Sequence, residues 1–342
     1  MALTVDRLTS LFEAFNNKKA LIIGDVMLDS YIWGKVERIS PEAPVPVVTV
    51  IRREERLGGA ANVGMNIRSL GARPVMCSVI GTDDKGQTLR ALMLNAGMED
   101  TGIIESPHRH TTTKFRVFGN NTQMLRVDEE TSVPLKNEVF HELCSRIDKI
   151  LKTEEIDVII FQDYDKGVIT PELIDFVTEM AEEMDIPVTV DPKKRNFMAF
   201  RNITLFKPNL AEMREGLDMA ALSPDKEELS LAARQLSGIL NTKIILNTLS
   251  EKGVFIYWDE NGESKEALLP AQRRNVADVS GAGDTVISVA SLCLTCGLDP
   301  ENIALLSNLA GGMVCEEAGV VPINKEKFIT DAISLLGNQN LP

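Results

Sequence analysis

The sequence predicts an α/β fold: a central, mostly parallel sheet with helices on both faces, plus a small β-sheet standing off it. Three observations carry this. Short Val/Ile-rich runs alternate with longer stretches of helical periodicity. Those runs are near-continuously apolar, as strands covered on both faces are. Two further stretches break the alternation and read as strands alone.

Taken in order, ALIIGD (20–25) is an apolar strand ending in Gly-Asp, and VMCSVIG (75–81), IDVIIFQ (156–162), PVTVD (187–191) and KIILN (243–247) repeat the form. Helical stretches lie between them at Ala60–Leu70, Lys85–Ala96, Glu138–Leu151, Pro171–Met184 and Lys226–Leu240. Polar residues close the strands at their C-terminal ends, the edge where open α/β sheets place ligands. Residues 30–57 hold strand-like pieces and three prolines, with no helix. Residues 111–128 read as a hairpin around a GNN turn. Together these two insertions make the small sheet; the alternative is a pair of edge hairpins on the main one. The terminal LGNQNLP reads as a frayed end. The expected organisation is one domain over residues 1–342.

Composition narrows the function. The chain of 342 residues carries 36 basic and 50 acidic side chains, a net charge of −14. Binders of nucleic acid or of anionic membranes need basic surface, so neither is expected. Aromatic residues are only 5%, too few for base-stacking platforms. No apolar run approaches the ~20 residues of a membrane span. MALTVDRLTS lacks the features of a secretory leader, and five scattered cysteines are unlike a disulfide framework. The expected location is cytoplasmic.

The strongest motif is DVSGAGDT, Asp278–Thr285, opening an apolar helical run. A Gly-Ala-Gly turn at a helix N-terminus presents backbone N–H groups to an anion. Asp284 beside it is a poor choice for holding an anion, but a good one for taking a proton from a hydroxyl that attacks a phosphate. The alternative is an acidic residue favouring the helix dipole. The chain has no GxxxxGK[ST] loop, and Val286 stands where GxGxxG needs its last glycine. In Gly58–Gly71, two glycines open a helix with Asn62 in its first turn, suited to sugar hydroxyls or to close packing. In GDVMLD, Asp25 and Asp29 follow a strand, where a carboxylate either accepts polyol hydroxyls or caps a turn. In KPNLAE, Asn209 and Glu212 share a helix face, a pair that holds hydrated Mg²⁺ or makes a capping box. Cys293 and Cys296 read as core, His108 and His110 as surface, and EERLGG as a solvated face.

The order GDVMLD, GGAAN, NxxE, TLSEKG (Thr248–Gly253), DVSGAGDT, SNLAGG (Ser307–Gly312) resembles the ribokinase/PfkB carbohydrate kinases over residues 18–335. Within them, GDVMLDSYIWG, RISPEAPVPVV, RLGGAANVGMNIRSLGA, TKFRV, QMLRVD, DYDKG (Asp163–Gly167) and DPKKRNF (Asp191–Phe197) resemble the heptose 7-phosphate kinases. Ser280 departs from the usual Thr but keeps a hydroxyl. The resemblance implies a ribokinase-like fold with a β-lid and transfer of the ATP γ-phosphate to the anomeric hydroxyl of D-glycero-β-D-manno-heptose 7-phosphate. It implies Asp284 as base, with Gly281, Ala282 and Gly283 as the anion hole. Asn209 and Glu212 organise Mg²⁺ and phosphates, and Thr248, Gly253 and Asn308 surround the nucleotide. Asp29, Gly59, Asn62 and Asp163 lie with the sugar, and a monovalent cation such as K⁺ lies near Asp278. The substrate's own phosphate needs cations, for which Lys114, Arg116, Arg126, Lys166 and Lys193 are available. A homodimer through the lid is expected. The sequence has no nucleotidyltransferase HxGH motif, so a later adenylylation is assigned to a separate protein. The alternatives are a related kinase for fructose 6-phosphate, fructose 1-phosphate or ribose, and a regulator that binds without turnover.

Overall fold

The computed structural model describes residues 3–260, 262–272 and 274–339, with side chains to Leu336. Strands β1 (Lys19–Gly24), β2 (Val26–Ile39), β3 (Pro46–Gly59), β4 (Arg73–Gly81), β5 (Glu99–Ser106), β6 (Thr113–Gly119) and β7 (Thr122–Glu129) fill the first part of the chain. They are followed by β8 (Val158–Gln162), β9 (Val188–Asp191), β10 (Leu205–Phe206), β11 (Ile244–Thr248), β12 (Val254–Glu260) and β13 (Glu263–Leu269). Helices α1 (Val5–Ala14), α2 (Ala60–Ser69), α3 (Asp84–Asn95), α4 (Asn137–Thr153) and α5 (Pro171–Glu183) are joined by α6 (Leu210–Gly216), α7 (Lys226–Leu240), α8 (Ala282–Thr295), α9 (Pro300–Val314) and α10 (Lys325–Gln339).

The main sheet has nine strands in the order β13-β12-β11-β10-β9-β8-β1-β4-β5. It is parallel from β11 to β5, with β12 and β13 added antiparallel. Alternating side chains of β1 serve two cores. Ala20 and Ile22 pack with α1, α2, α8, α9 and α10, and Leu21 and Ile23 pack with α4, α5 and α7. That double burial explains the unbroken apolar runs in the sequence. Chain order reverses where β1 lies between β8 and β4, and the C-terminal ends there form the crevice open sheets use for ligands.

The two insertions form one four-stranded sheet, β3-β2-β6-β7. Asn120 and Asn121 take φ of 52° and 64°, the left-handed pair that a two-residue hairpin turn needs. Two expectations change. Asp29 is not in a turn after β1 but inside β2, which starts at Val26. EERLGG is not a solvated face: Leu57, Gly58 and Gly59 are buried, and Arg56 Nη1 donates to the carbonyls of Ala318 (3.0 Å) and Val320 (3.2 Å). Helix α10 continues through Gln339, so a frayed end from Leu336 does not apply to the described part, and residues 340–342 lie outside it.

Candidate active site

Helix α8 begins at Ala282 with Gly281 as its cap at φ 81°, a conformation that favours glycine. Its first turn leaves backbone N–H groups without intrahelical partners, at the positive end of the dipole. Asp284 is buried at 3% exposure. Its carboxylate points away from the helix's own amides: Oδ2 accepts from Asn62 Nδ2 (2.7 Å), and Oδ1 from Tyr164 Oη (2.7 Å) and Gln162 Nε2 (3.1 Å). Desolvation outweighs the Asn62 and Tyr164 hydrogen bonds and pushes its pKa up to about 7. A carboxylate that gains a proton near neutrality suits a base. Asn62 is therefore committed beneath the glycine turn, and Asn66 Nδ2 donates to the Asn62 carbonyl (2.9 Å). Gly59 starts α2 at φ 59°, where a Cβ would lie 2.4 Å from the Asp25 carbonyl.

Asp25 and Asp163 shape the loop after β8. Asp25 Oδ2 accepts from the amides of Tyr164 (2.9 Å) and Lys166 (3.1 Å), and Oδ1 from Val168 (3.2 Å). Asp163 Oδ1 accepts from the Asp165 amide (2.8 Å) and Oδ2 from Asn196 Nδ2 (2.9 Å). Burial and the neighbouring Asp25 charge push Asp163 up to about 7. Each oxygen of Asp163 thus carries one hydrogen bond that holds the loop and keeps a second acceptor direction.

At the next strand ends, Asp191 and Lys207 form a buried ion pair (3.1 Å). Gln162 Nε2 bridges Asp191 Oδ2 (3.1 Å) and Asp284. A Cβ on Gly283 would lie 3.6 Å from Asp191 Oδ2 and 3.7 Å from Lys207 Nζ, which puts this pair beside the glycine turn. Asn209 caps α6 in a capping box: its Oδ1 accepts from the Glu212 amide, and Glu212 Oε2 accepts from the Asn209 amide, both at 2.8 Å. Glu212 Oε1 is paired with Lys193. Burial opposes the Lys193 charge, but Asp191 and Glu212 outweigh it and raise its pKa. Lys193 thus stands between two carboxylates and 5.7 Å from the Tyr164 ring centroid. Among the described residues no three His, Cys, Asp or Glu side chains gather into a metal cage. Glu212 would meet a hydrated Mg²⁺ through water, on the acceptor directions that Lys193 and the Asn209 amide leave.

Thr248 bridges to Asn209 at the end of β11, its amide donating to the Pro208 carbonyl (3.0 Å). Gly253 and Asn308 meet at one place. A Cβ on Gly253 would lie 2.0 Å from the Leu269 carbonyl, and Asn308 Nδ2 donates to the Pro270 carbonyl (2.9 Å). Asp278 Oδ1 accepts from the Ser280 amide (3.0 Å) and hydroxyl (2.8 Å), and Oδ2 from the Gly319 amide (2.9 Å). A cation there finds one open acceptor direction, on Oδ2.

The register of the second sheet puts Asp29, Lys114, Arg116, Arg126 and Asp128 on one face, with Tyr31 and Arg56. Arg56 ties that face to the 318–320 segment, next to the Asp278 turn. Arg116 is paired with Asp29 and lies 5.3 Å from the Tyr31 ring centroid. Arg126 donates twice to Asp128 (2.8 Å each), and Lys114 reaches Asp128 (3.1 Å) and Glu130 (3.2 Å). Lys166 reaches Glu130 from the neighbouring loop (2.8 Å). Lys114, Arg126 and Lys166 therefore converge, but on two carboxylates. Arg126 holds Asp128 down to about 2.

Sequence reasoning gave no role to Gln162, Tyr164, Asp191 or Lys207. Their signal was position: each ends or follows a parallel strand.

The pfkB family carbohydrate kinase profile matches residues 17–327. Bifunctional protein HldE of Citrifermentans bemidjiense is 39% identical over 326 residues, 94% of this chain and 65% of that protein. HldE of Geotalea uraniireducens is 38% identical over 324 residues, 94% of this chain and 64% of that protein. The chain thus spans slightly under two thirds of these relatives. Among solved structures, Escherichia coli phosphofructokinase-2 in complex with potassium superposes with a TM-score of 0.77 at 18% identity, covering 94% of this chain and 99% of that one. Arabidopsis thaliana ribokinase complexed with ribose and ATP gives 0.68 at 16%, covering 91% and 98%. These structures speak to the fold. The match along nearly the whole chain settles the class: the chain belongs to the pfkB family of carbohydrate kinases and is an ATP-dependent sugar kinase.

Proposed function

We propose that the acceptor is the anomeric hydroxyl of D-glycero-β-D-manno-heptose 7-phosphate, giving the 1,7-bisphosphate. The observation that carries the chemistry is Asp284: a buried carboxylate titrating at about 7, at the start of a helix that opens with a glycine turn. Asp284 takes the hydroxyl proton as the sugar oxygen bonds to the γ-phosphorus. The bond from that phosphorus to the β-phosphate oxygen breaks, and ADP leaves with the electron pair. The amides of Gly281–Gly283 and the Lys207 ammonium face the charge spreading over the transferred group. Glu212 would hold Mg²⁺ through water, and the ion would supply further charge neutralisation.

The sugar reading draws on the relatives named HldE and on the cationic face of the second sheet, which suits an acceptor that already carries a phosphate. In this reading that sheet acts as a lid and excludes water from the γ-phosphate. A K⁺ at Asp278 belongs to the same proposal. Its test is the rate in potassium against tetramethylammonium, equal rates removing the cation.

The deciding experiment is ADP release across a panel of heptose 7-phosphate, fructose 6-phosphate, fructose 1-phosphate and ribose, with the product identified by NMR. The expected result is preferred turnover of the heptose, with the new phosphate on C1. Faster turnover of another sugar overturns the substrate, and binding without ADP release overturns catalysis.

A further inference from the structure

The three hydrogen bonds on Asp284 are unequally divided. A carboxylate oxygen offers two acceptor directions. Oδ1 uses both, on the Tyr164 hydroxyl and the Gln162 amide, whereas Oδ2 uses one, on Asn62. Tyr164 is also held from below. Asp25 accepts from three amides of its loop, Asp165 sits at φ 56°, and Gly167 at φ 84° would bring a Cβ within 2.2 Å of the Val133 carbonyl. These contacts hold the loop, and among the described residues its phenol donates to Asp284.

We propose that Tyr164 is a positioning residue for the base: with Gln162 it fills Oδ1 of Asp284, orients the carboxylate and leaves Oδ2 as the oxygen that takes the acceptor's proton. The inference rests on Asp284 being the base. In the step, the O–H bond of the sugar breaks, an O–H bond forms on Oδ2, and the Tyr164 proton stays on its own oxygen. Burial, and then the charges of Asp284 and Asp191, hold the phenol pKa well above 10, so it donates throughout the neutral range. The groups around the carboxylate are few. Asp191 on β9 pairs with Lys207 after β10, Lys193 follows β9, Asp29 lies on β2, and Asp25 and Asp163 are bound beneath the loop. From α2 the facing group is the neutral Asn62. Asp191 raises the Asp284 pKa and Lys207 lowers it, while Tyr164 is the titratable group that reaches Asp284 by a hydrogen bond.

The test is the pH dependence of kcat/KM for the sugar, which reports the base in the free enzyme. In Tyr164→Phe the carboxylate loses a donor that favours its charged form. The acid limb then moves up by about one pH unit. Replacing Tyr164 by 3-fluorotyrosine makes the phenol a stronger donor and moves the limb down. Opposite shifts support the proposal. A uniform fall in rate with the limb unmoved in both proteins overturns it, and if Tyr164→Phe does not fold, the fluorotyrosine protein decides alone. Asp284→Asn separates the two readings. If it retains turnover within about threefold, the base assignment falls. If it is inactive and the Tyr164 limbs do not move, only the positioning role falls.

Discussion

The burial of Asp284 and its proposed role as base are separable by substitution. Its side chain makes no bond to the amides of α8, so a capping role reduces to the helix dipole, worth ~0.3–1 kcal/mol. Loss of a general base costs about 10²–10⁴-fold. Asp284→Asn is therefore expected to lose at least about a hundredfold in kcat. ATP affinity by calorimetry should be retained or improved, since a negative charge near the phosphates is gone. The raised pKa also sets a stability signature. Between pH 3.8 and about 7 the folded protein binds the Asp284 proton more tightly than the unfolded chain does. Stability from this group is thus highest in acid and falls as pH rises through that window. The asparagine variant lacks that slope, so thermal melts of the two proteins should converge in acid and separate in its favour toward neutrality. Two lysines test the division of the cations. Lys166 lies in the cluster with Glu130 and Lys114, and Lys193 beside Glu212. Lys166→Ala should raise KM for the sugar phosphate more than for ATP, and Lys193→Ala the reverse. Steady-state kinetics with each substrate varied checks both.

At the scale of the element, the N-terminus of α8 shows two glycines with different reasons for being there. Gly281 needs its positive φ, and a Cβ would lie 2.8 Å from Asn62 Nδ2. Gly281→Ala is expected to destabilise by about 1–3 kcal/mol and to displace the amide turn. Gly283 carries no such strain, and its Cβ would meet only ordinary contacts at 3.6 and 3.7 Å. Gly283→Ala should melt at or above the parent temperature, since alanine is the better helix former by roughly 1 kcal/mol. It should nevertheless lose kcat, because the added methyl occupies the space beside Asp191 and Lys207. A variant that melts normally and turns over normally removes Gly283 from the anion site. This turn was legible in the sequence because its residues are contiguous, as were the long strands and helices with a clear period. The two-residue β10 carries no period. The Gln162–Asp284–Asn62 contacts join residues 122 and 222 positions apart, which no spacing rule records. Asp25 and Asp29 look equivalent in GDVMLD, yet one braces a loop and the other sits in a second sheet on the cationic face.

For the whole molecule, the second sheet has two unlike faces and two open edges. One face carries Asp29, Lys114, Arg116 and Arg126 and is tied toward the 318–320 segment. By register the other face carries Ile32, Phe115, Val117, Leu125, Val127 and Val50, together with Ser30, Arg53 and Glu55, and Lys85 of α3 pairs with Glu55 and lies 5.4 Å from the Phe115 ring centroid. Leu125, Val127 and Val50 on it are 56%, 47% and 44% exposed. Strands β3 and β7 end the sheet with unpaired backbone groups beside those side chains. The exposed apolar side chains Val50, Leu125 and Val127, beside two open edges, are what a second copy of the same sheet covers, with its own such patch turned inward. We therefore expect a homodimer through this sheet, with the charged faces left toward their own sites. Sedimentation should give twice the 37.7 kDa chain mass. Leu125→Glu, which buries a charge against apolar side chains only if the dimer forms, should shift the equilibrium to monomer. The melting of the main domain should change little, because Leu125 is exposed within the protomer. If Lys114, Arg116 and Arg126 bind the sugar phosphate as proposed, and the dimer holds their sheet in place, the variant should also raise KM for the sugar phosphate, with ATP affinity kept. A chain mass of 37.7 kDa for the unsubstituted protein at every concentration overturns the dimer. A monomeric variant with unchanged sugar KM overturns only the link between assembly and the site.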